Sequence, residues 1–364
     1  MNSVSQDHTA LPRNVAVIGT GMVSQIVHIS AIEQTASLQI AGVADLNAAL
    51  VDRVAARHSC RSFTSHLDLL KECQHEAVVV VTHRTHTAEL VRDALNYGKH
   101  VLSEKPMAMT LPIAQELVAL ARSKGLVYVV GFMKRYDAGV LRAQAILAEL
   151  VSSRRLGALI YVRGKNFCAE YVGYCEDYIR SEASTAVPSA PTLPITPEWL
   201  QPELARKYDW FANVGLHSIN LLRFLLGADL SVRHAVVAYD QAATVMFDAV
   251  GIPITLDLGR AATGRWEESF EFFFERGRLE LQLTSLKQRD RCAAVTLDEN
   301  VGEAKTSCWG HDTSEPWSFT RQMQAFADAI AGRPNALLAT GEDSLKDMEL
   351  LEEIFQFVQG IKRG

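Results

Sequence analysis

Residues 14–24 read Asn-Val-Ala-Val-Ile-Gly-Thr-Gly-Met-Val-Ser, an apolar run that ends in a glycine-rich turn and leads into a helical pattern. A second apolar run, residues 38–44, ends at Asp45, which lies 26 positions after Gly19. In such a unit the first glycine permits a tight turn, and the second lets the backbone approach a pyrophosphate. The N-terminus of the following helix supplies N–H groups and positive potential for that anion. This order of features predicts a dinucleotide site in a parallel α/β domain.

The residues around this turn favour NAD rather than NADP as the cofactor. The carboxylate of Asp45 is suited to accept hydrogen bonds from ribose hydroxyls and to repel a 2′-phosphate, while Leu46 and Asn47 offer no cation for one. Ser24 stands where a third glycine is common and is small enough for close helix–strand packing. A glycine turn in another kind of parallel α/β domain is the alternative interpretation. The candidate cofactor contacts in this region are Gly19, Thr20, Gly21, Met22, Val23 and Asp45.

The composition limits the class of protein. A chain of 364 residues is long for one hydrophobic core, so two domains are expected. A net charge of −6 and a pI near 6.0 argue against nucleic acid or an anionic membrane as a partner. The six cysteines contain no C-x-x-C pair, which predicts reduced thiols in a cytoplasmic protein and no bound metal. Residues 1–13 are polar and lack an apolar signal core, which predicts a short disordered tail.

The order of elements indicates an α/β chain with two domains. Residues 14–133 alternate strand-like and helix-like segments, which is typical of a Rossmann domain with a parallel sheet. In residues 134–364, several strands follow one another without helices between them, which predicts an α+β domain with a large open, mostly antiparallel sheet. The predicted strands are 15–18, 38–44, 77–81, 100–102, 127–130, 159–167, 232–239, 244–248, 254–258, 269–275, 278–284 and 293–297, and the predicted helices are 23–33, 48–57, 86–97, 111–123, 140–150, 214–226, 319–331 and 344–359.

Residues 168–208 form a long proline-rich segment without helix or strand periodicity. Loops of this length inside a compact domain are often binding loops, and its aromatic residues favour a partly ordered segment that covers the substrate. A disordered insertion is the alternative interpretation. Cys168 and Cys175 flank this region, and we interpret both as incidental rather than reactive.

A lysine follows the predicted strand 100–102, in the sequence Glu104-Lys105-Pro106. In a doubly wound sheet the carboxyl end of a strand faces the cofactor crevice. Pro106 restricts the backbone, so Lys105 can be directed at one place and can stabilise negative charge on a reacting oxygen. An ordinary surface lysine is the alternative interpretation.

A histidine lies on a predicted helix between two asparagines. Asn213, His217 and Asn220 are spaced i, i+4 and i+7, so they share one helix face. Because an unperturbed imidazole titrates near neutral pH, His217 is the natural proton acceptor. A core histidine without a catalytic role is the alternative.

These motifs together resemble the Gfo/Idh/MocA family of oxidoreductases over nearly the whole chain. The resemblance rests on the glycine turn with its distal aspartate, on residues 104–108 (Glu-Lys-Pro-Met-Ala), on residues 131–136 (Gly-Phe-Met-Lys-Arg-Tyr) and on the Gly215-x-His217 helix. It implies a nicotinamide-dependent dehydrogenase of sugars, cyclitols or their derivatives. In proteins of this family, the C-terminal sheet often forms the interface of dimers or tetramers.

The resemblance also implies roles for single residues. Lys105 matches the catalytic lysine, and His217 matches the acid/base histidine. Asn213 stands where many of these dehydrogenases have an aspartate. An amide cannot share a proton with the histidine and can only orient it.

The strand end at residues 82–84, Thr-His-Arg, departs from the Thr-Pro-Asn of the family. His83 and Arg84 are expected near the nicotinamide ribose or the diphosphate, and the charge of Arg84 suggests an anionic substrate or a diphosphate contact. His86 matches a later histidine of the family. The candidate cofactor contacts outside the glycine turn are Thr82, His83, His86, Glu104 and Lys105.

The sequence therefore predicts an NAD-dependent oxidoreductase that transfers hydride between the nicotinamide and a secondary alcohol or ketone of a sugar, cyclitol or sugar derivative. Lys105 would hold the reacting oxygen, and His217 would take the hydroxyl proton. The expected partners are a polyhydroxylated small molecule and, through the C-terminal sheet, further copies of the chain in a homodimer or homotetramer. A glycosidase that uses NAD and a non-catalytic nucleotide-sensing protein of the same fold are the alternatives. The candidate substrate contacts are Arg135, Lys165, Asn166, Tyr171 and Asn220.

Overall fold

The computed structural model describes residues 11–168, 177–180, 190–238, 240–260, 266–285, 288–310, 315–333 and 335–361. Tyr171, Cys175 and most of the predicted N-terminal tail lie outside the described residues. The predicted tail is wrong at its last residue, because Arg13 begins the first strand. The backbone N–H of Arg13 donates to the carbonyl of Ser37 at 2.8 Å, and its guanidinium pairs with Glu76.

The first part of the chain forms a doubly wound domain. Within the described residues its sheet has six parallel strands in the order β3-β2-β1-β4-β5-β6. The order reverses between β1 and β4, and such a switch point opens a crevice at the carboxyl ends of the strands. The strands are β1 (Arg13–Ile18), β2 (Leu38–Ala44), β3 (Arg61–Phe63), β4 (Ala77–Val80), β5 (His100–Ser103) and β6 (Tyr128–Val130).

Helices cover both faces of this sheet. The predicted helix 23–33 begins as a π-helical turn, Ser24–Ile29, and continues as α1 (Ser30–Glu33). The remaining helices are α2 (Ala48–Arg57), α3 (His66–Glu72), α4 (Arg84–Asn96) and α5 (Leu111–Ser123). The sequence analysis missed β3 and α3. Strand β3 is three residues long and buries only Phe63, so it has no periodicity to detect.

The second sheet has eight strands within the described residues, in the order β14-β13-β12-β11-β7-β10-β9-β8. Its neighbouring strands are antiparallel except β7 and β10, which are parallel. This confirms the predicted fold class. Strand β14 was not predicted, since its residues are mostly polar and exposed. The strands are β7 (Leu159–Cys168), β8 (Ser231–Ala238), β9 (Ala242–Ala249), β10 (Ile252–Arg260), β11 (Glu267–Phe274), β12 (Gly277–Leu283), β13 (Ala294–Val301) and β14 (Glu303–Trp309).

Four long helices accompany this sheet in the described residues: α6 (Ala138–Ser153), α7 (Ala205–Leu226), α8 (Ser318–Ile330) and α9 (Gly341–Val358). Helix α7 begins nine residues before its predicted start, so the end of the predicted loop 168–208 is helical. The side chains of Tyr208 and Phe211, in this first part of α7, are buried, and their burial in the core explains the earlier start of the helix. The hydroxyl of Tyr208 donates to the carbonyl of Met109 at 3.0 Å and so ties α7 to the first domain.

The C-terminal helices pack against the first domain as well as the second. Phe319 and Phe326 of α8 join the buried cluster formed by β1 and the π-helical turn. At the start of α9, Thr340 makes a bridge with Val129 of β6. None of the helices in the described residues has the length and apolar character that crossing a bilayer would require.

Candidate active site

A cleft of about 850 Å³ lies at the carboxyl ends of the parallel strands, between the first domain and α7. Its wall includes the glycine turn, the ends of β2, β4 and β5, and one face of α7. The predicted site residues that line it are Gly19, Gly21, Met22, Val23, Asp45, Thr82, His83, His86, Glu104, Lys105, Asn213 and His217. Thr20, between the two glycines of the turn, is buried.

The two glycines of the turn have different surroundings. Gly19 has a φ of +94°, and a side chain there would overlap the carbonyl oxygen of Val81. Gly21 has no atom within 4 Å of the position that its Cβ would take, so its backbone faces open space. Gly19 therefore serves the fold of the turn, while Gly21 leaves room for a ligand.

Asp45 is held at the end of β2 by backbone and side-chain donors. Its Oδ2 accepts from the backbone N–H of Thr20 at 2.7 Å and from the Thr20 hydroxyl at 2.9 Å, and its Oδ1 accepts from the N–H of Asn47 at 3.0 Å. These bonds fix the carboxylate at the edge of the cleft, where lone pairs remain for further donors. Among the described residues that line the cleft, Arg84 is the only arginine and Lys105 is the only lysine.

The charge of Arg84 is neutralised by a carboxylate of α7. Its Nε donates to Oδ1 of Asp209 at 2.6 Å, and a second guanidinium nitrogen pairs with Oδ2. Arg84 lines the cleft while it is paired with Asp209, and its contact with an anionic substrate or a diphosphate stays a prediction. Nearby, Nδ1 of His83 lies 2.8 Å from the hydroxyl of Thr85. Burial lowers the pKa of His83, and the charge of Arg84 lowers it further.

Lys105 reaches across the cleft to α7. Its Nζ donates to the backbone carbonyl of Asn213 at 2.6 Å and to the side-chain Oδ1 of Asn213 at 2.9 Å. From the sequence, Asn213 was expected to orient His217. In the structure its side-chain oxygen contacts the lysine instead, because position 213 faces the strand end from which Lys105 extends.

His217 lies one turn after Asn213 on the same helix. Its ring makes an edge contact with Phe132, with centroids 6.0 Å apart. Its Nδ1 is buried and has no hydrogen-bond partner among the described residues. Burial, with smaller effects of the charges of Lys105 and Lys134, holds the pKa of His217 well below its ordinary value. The imidazole is therefore neutral at neutral pH and able to accept a proton.

Two predicted substrate contacts, Arg135 and Asn220, lie outside the cleft. Both side chains are buried. The Nε of Arg135 donates to Oδ1 of Asn220 at 2.7 Å, and another guanidinium nitrogen donates to Asp343 at 2.5 Å. Asn220 in turn donates to Asp347 at 2.6 Å. The prediction is wrong for this pair, because α9 supplies carboxylates that the sequence does not reveal as neighbours.

The other two described candidates lie on β7. Asn166 is buried, and its Nδ2 donates to the Ser218 hydroxyl at 3.0 Å and to Oε1 of Glu268 at 3.2 Å. It faces the underside of α7 rather than the cleft, so this prediction is also wrong. Lys165 is partly exposed and pairs with Glu267 at 3.2 Å. It does not line the cleft formed by the described residues.

Two pairs beside the cleft were not predicted from the sequence, one buried and one partly buried. Lys134 pairs with Glu268 under α7, and Nε2 of His28 lies 2.8 Å from Oε1 of Glu104. The alternation of β11 could have placed Glu268 inward, since it shares a face with Phe270 and Phe272. No local pattern could have paired His28 with Glu104, because 76 positions separate them.

Residues 13–132 match the model of a family described as oxidoreductases with an NAD-binding Rossmann fold, GFO_IDH_MocA. The chain is 26% identical to the uncharacterized oxidoreductase YrbE of Bacillus subtilis over 91% of its own length and 89% of that protein. It is 27% identical to inositol 2-dehydrogenase of Salmonella typhimurium over 43% of its own length. It is 33% identical to the uncharacterized oxidoreductase C115.03 of Schizosaccharomyces pombe over 41% of its own length. These last two matches span 46% and 40% of the relatives.

Solved structures share the fold of the chain. KijD10, a 3-ketoreductase from Actinomadura kijaniata solved with NADP and TDP-benzene, superposes with a TM-score of 0.71 at 20% identity over 94% of this chain and 97% of that one. The UDP-N-acetylglucosamine 3-dehydrogenase GnnA from Acidithiobacillus ferrooxidans superposes with a TM-score of 0.69 at 20% identity, over 96% and 99% of the two chains.

Proposed function

Because residues 13–132 match the Gfo/Idh/MocA family model and the chain resembles YrbE over 91% of its length, we propose that this chain is an oxidoreductase of that family and that it transfers hydride between a nicotinamide and a secondary alcohol or ketone of a sugar, cyclitol or sugar derivative. The observation that carries the proposal is the meeting of Lys105 and His217 in one cleft at the switch point of the parallel sheet. A site with a cation and a neutral imidazole can stabilise a developing alkoxide and exchange its proton.

The described residues fit a dinucleotide. The hydroxyls of Ser24 and Thr82 are buried at the cleft wall and have no hydrogen-bond partner among the described residues. Open space next to Gly21 leaves room for a pyrophosphate at the start of the π-helical turn. When bound, the nicotinamide would accept or return the hydride.

Three side chains carry the other steps: charge stabilisation on the reacting oxygen, proton transfer, and orientation of the lysine. The ammonium of Lys105 holds the reacting oxygen and stabilises negative charge on it. Neutral His217 takes the hydroxyl proton during oxidation and returns it during reduction. Asn213 directs the ammonium through its two acceptors.

The cofactor that we propose is NAD. Asp45 presents a carboxylate held by Thr20 at the point where an adenine ribose is expected. Leu46 and Asn47, which follow Asp45, offer no cation for a 2′-phosphate. KijD10 was solved with NADP. Comparing the affinities for the two dinucleotides tests this part of the proposal directly.

The substrate that we propose is a polyhydroxylated small molecule. Inositol 2-dehydrogenase is named for a cyclitol and GnnA for UDP-N-acetylglucosamine, and KijD10 is named a 3-ketoreductase. The two alternative functions, a glycosidase with retained NAD and a non-catalytic nucleotide sensor, predict no net reduction of NAD. Net formation of NADH with a polyol therefore separates the proposal from both.

The deciding experiment is a panel of polyols and sugars assayed for NADH formation with the wild type and Lys105→Ala. We expect turnover with at least one member, a loss of about 10²–10⁴-fold in kcat for Lys105→Ala, and unchanged NAD affinity. Lys124→Ala is the matched control, since this lysine on the surface of the first domain contacts only a backbone carbonyl in the described structure. Unchanged turnover in Lys105→Ala would contradict the assignment.

A further inference from the structure

His28 is a buried histidine next to the catalytic cleft that the mechanism above does not use. It lies on the π-helical turn Ser24–Ile29, and only 1% of the residue is exposed. Its Nε2 is 2.8 Å from Oε1 of Glu104, the residue before Lys105. The other oxygen of Glu104 accepts from the backbone N–H of Lys105 at 3.3 Å. A continuous set of contacts therefore leads from the cofactor turn to the lysine.

Two polar side chains of the π-helical turn, Gln25 and His28, contact other polar groups of the first domain. Gln25 donates to the carbonyl of Thr20 at 2.7 Å and so closes the glycine turn. His28 points the other way, toward Glu104, and an edge contact with Phe319 at 5.9 Å holds its ring. Because π-helical turns are rare and often occur at functional sites, this departure from α-helical geometry supports a role for the side chains that it orients.

Glu104 needs a donor to remain charged at this position. Burial raises the pKa of its carboxyl group, but the hydrogen bond and charge of His28, together with the charge of Lys105, bring the pKa below its ordinary value. The carboxylate of Glu104 thus has two possible partners, the imidazole of His28 and the ammonium of Lys105. Held by His28, it binds the backbone of Lys105 and leaves the ammonium with Asn213.

We propose that His28 is a positioning residue for Lys105: it holds the carboxylate of Glu104 away from the ammonium, and so connects the dinucleotide-binding turn to the placement of the ammonium over the reacting oxygen. This inference deepens the proposed function and rests on it. Without His28, the carboxylate of Glu104 is free to capture the ammonium and draw it away from Asn213. A displacement of about 1 Å at a reacting group is enough to reduce the rate by about 10²-fold.

The test compares His28→Leu, His28→Gln and the double variant His28→Leu/Glu104→Gln. For a substrate found in the panel, His28→Leu should lower kcat by about 10²-fold while the Kd for NAD stays within twofold. His28→Gln retains a donor and should restore most of kcat. The double variant removes the carboxylate that captures the ammonium and should also restore kcat. His75→Gln is the control, since this second buried histidine contacts the carbonyl of Cys73 outside the cleft.

A second readout requires no substrate. Trace acetylation with acetic anhydride, quantified by mass spectrometry, reports the reactivity of the Lys105 amine against that of Lys124. We expect His28→Leu to lower the relative labelling of Lys105 at least threefold, and the double variant to restore it. The labelling result stands even if no panel member is oxidised, so the failure of the proposed function is distinguishable from the failure of this inference. Unchanged labelling in His28→Leu, or a double variant as impaired as the single one, would overturn the positioning role.

Discussion

At the scale of single residues, the proposed function depends on the protonation state of His217. An imidazole serves as a general base only in its neutral form. The surroundings of His217 disfavour its charged form, first by burial and then by the charges of Lys105 and Lys134. Lys105, which we propose to hold the reacting oxygen, therefore adds to the effect of burial in keeping the imidazole unprotonated.

This state predicts a pH profile. Since the pKa of His217 lies well below 6.5, kcat/KM for alcohol oxidation should stay level as the pH falls from 8 to 6. An acid limb centred at pH 6.5 or higher would contradict the prediction. The profile of kcat/KM is the right measurement because it reports the free enzyme.

The same shift has a consequence for stability. A histidine with a lowered pKa in the folded state binds fewer protons there than in the unfolded chain, so its contribution to stability is present above pH 6.5 and is lost as the pH falls. In urea unfolding, the stability of the wild type relative to His217→Gln should therefore decrease below pH 6.5. A difference that does not vary between pH 7 and pH 5 would argue against a buried neutral imidazole.

At the scale of elements, the two glycines of the turn are expected to have different roles: Gly19 in the fold of the turn and Gly21 in the binding of the ligand. Gly19 adopts a left-handed conformation against the carbonyl of Val81, whereas the space beside Gly21 is open. Substitutions of Gly19 and Gly21 by alanine can therefore be compared directly, since both add one methyl group to the same turn.

We expect Gly19→Ala to destabilise the first domain, because the added methyl group meets backbone atoms and requires a strained φ. Gly21→Ala should leave the urea midpoint nearly unchanged and weaken NAD binding by at least tenfold, because its methyl group occupies the space next to the turn. Urea unfolding and NAD titration of both variants give the comparison. Equal effects of the two substitutions on stability would contradict the division of roles.

At the scale of the whole molecule, an ionic network joins α7 to α9 and to Arg135, which follows the last strand of the first domain. Arg223 donates to Asp347 at 2.6 Å and to Asp343 at 2.7 Å, and Arg135 shares Asp343. Asp347 is 1% exposed. The network fixes the helix that carries His217, although none of its members lines the cleft.

Removing one carboxylate from this network should be costly. Asp347→Ala leaves Arg223 buried with one fewer partner, and loss of one member of a buried ion pair typically costs about 3–5 kcal/mol. The neighbouring Lys346→Ala removes an exposed pair with Asp229 and should cost less than about 1 kcal/mol. Urea unfolding of the two variants at pH 7 measures the contrast, and similar losses would show that the network does not stabilise the fold.

The outer face of the second sheet is the expected site of self-association. Tyr161 and Phe273 lie 6.0 Å apart on neighbouring strands of this face, and Met246 is partly exposed on β9. We expect a dimer or tetramer by light scattering, and Phe273→Glu should shift it toward the monomer. Glu349→Lys, on the exposed side of α9, is the control that should leave the mass unchanged. A monomeric wild type at micromolar concentration would contradict this expectation.

The sequence by itself determined the features whose signals are local in the chain. The strand, glycine turn and helix follow one another directly, so their order predicts the Rossmann domain and the place of Asp45. Lys105 and His217 were recognisable because a strand end precedes one and a helix stripe contains the other. Apolar alternation likewise predicted most strands of the second sheet.

Only the tertiary structure decided which polar groups meet. Asn213 contacts Lys105 across 108 positions, and Arg135 reaches Asp343 across 208. His28 lies on a π-helical turn where an α-helix was expected, and it contacts Glu104 across 76 positions. Such pairings depend on how separate elements pack, and the periodicity of one element says which face is buried but not which partner that face will find.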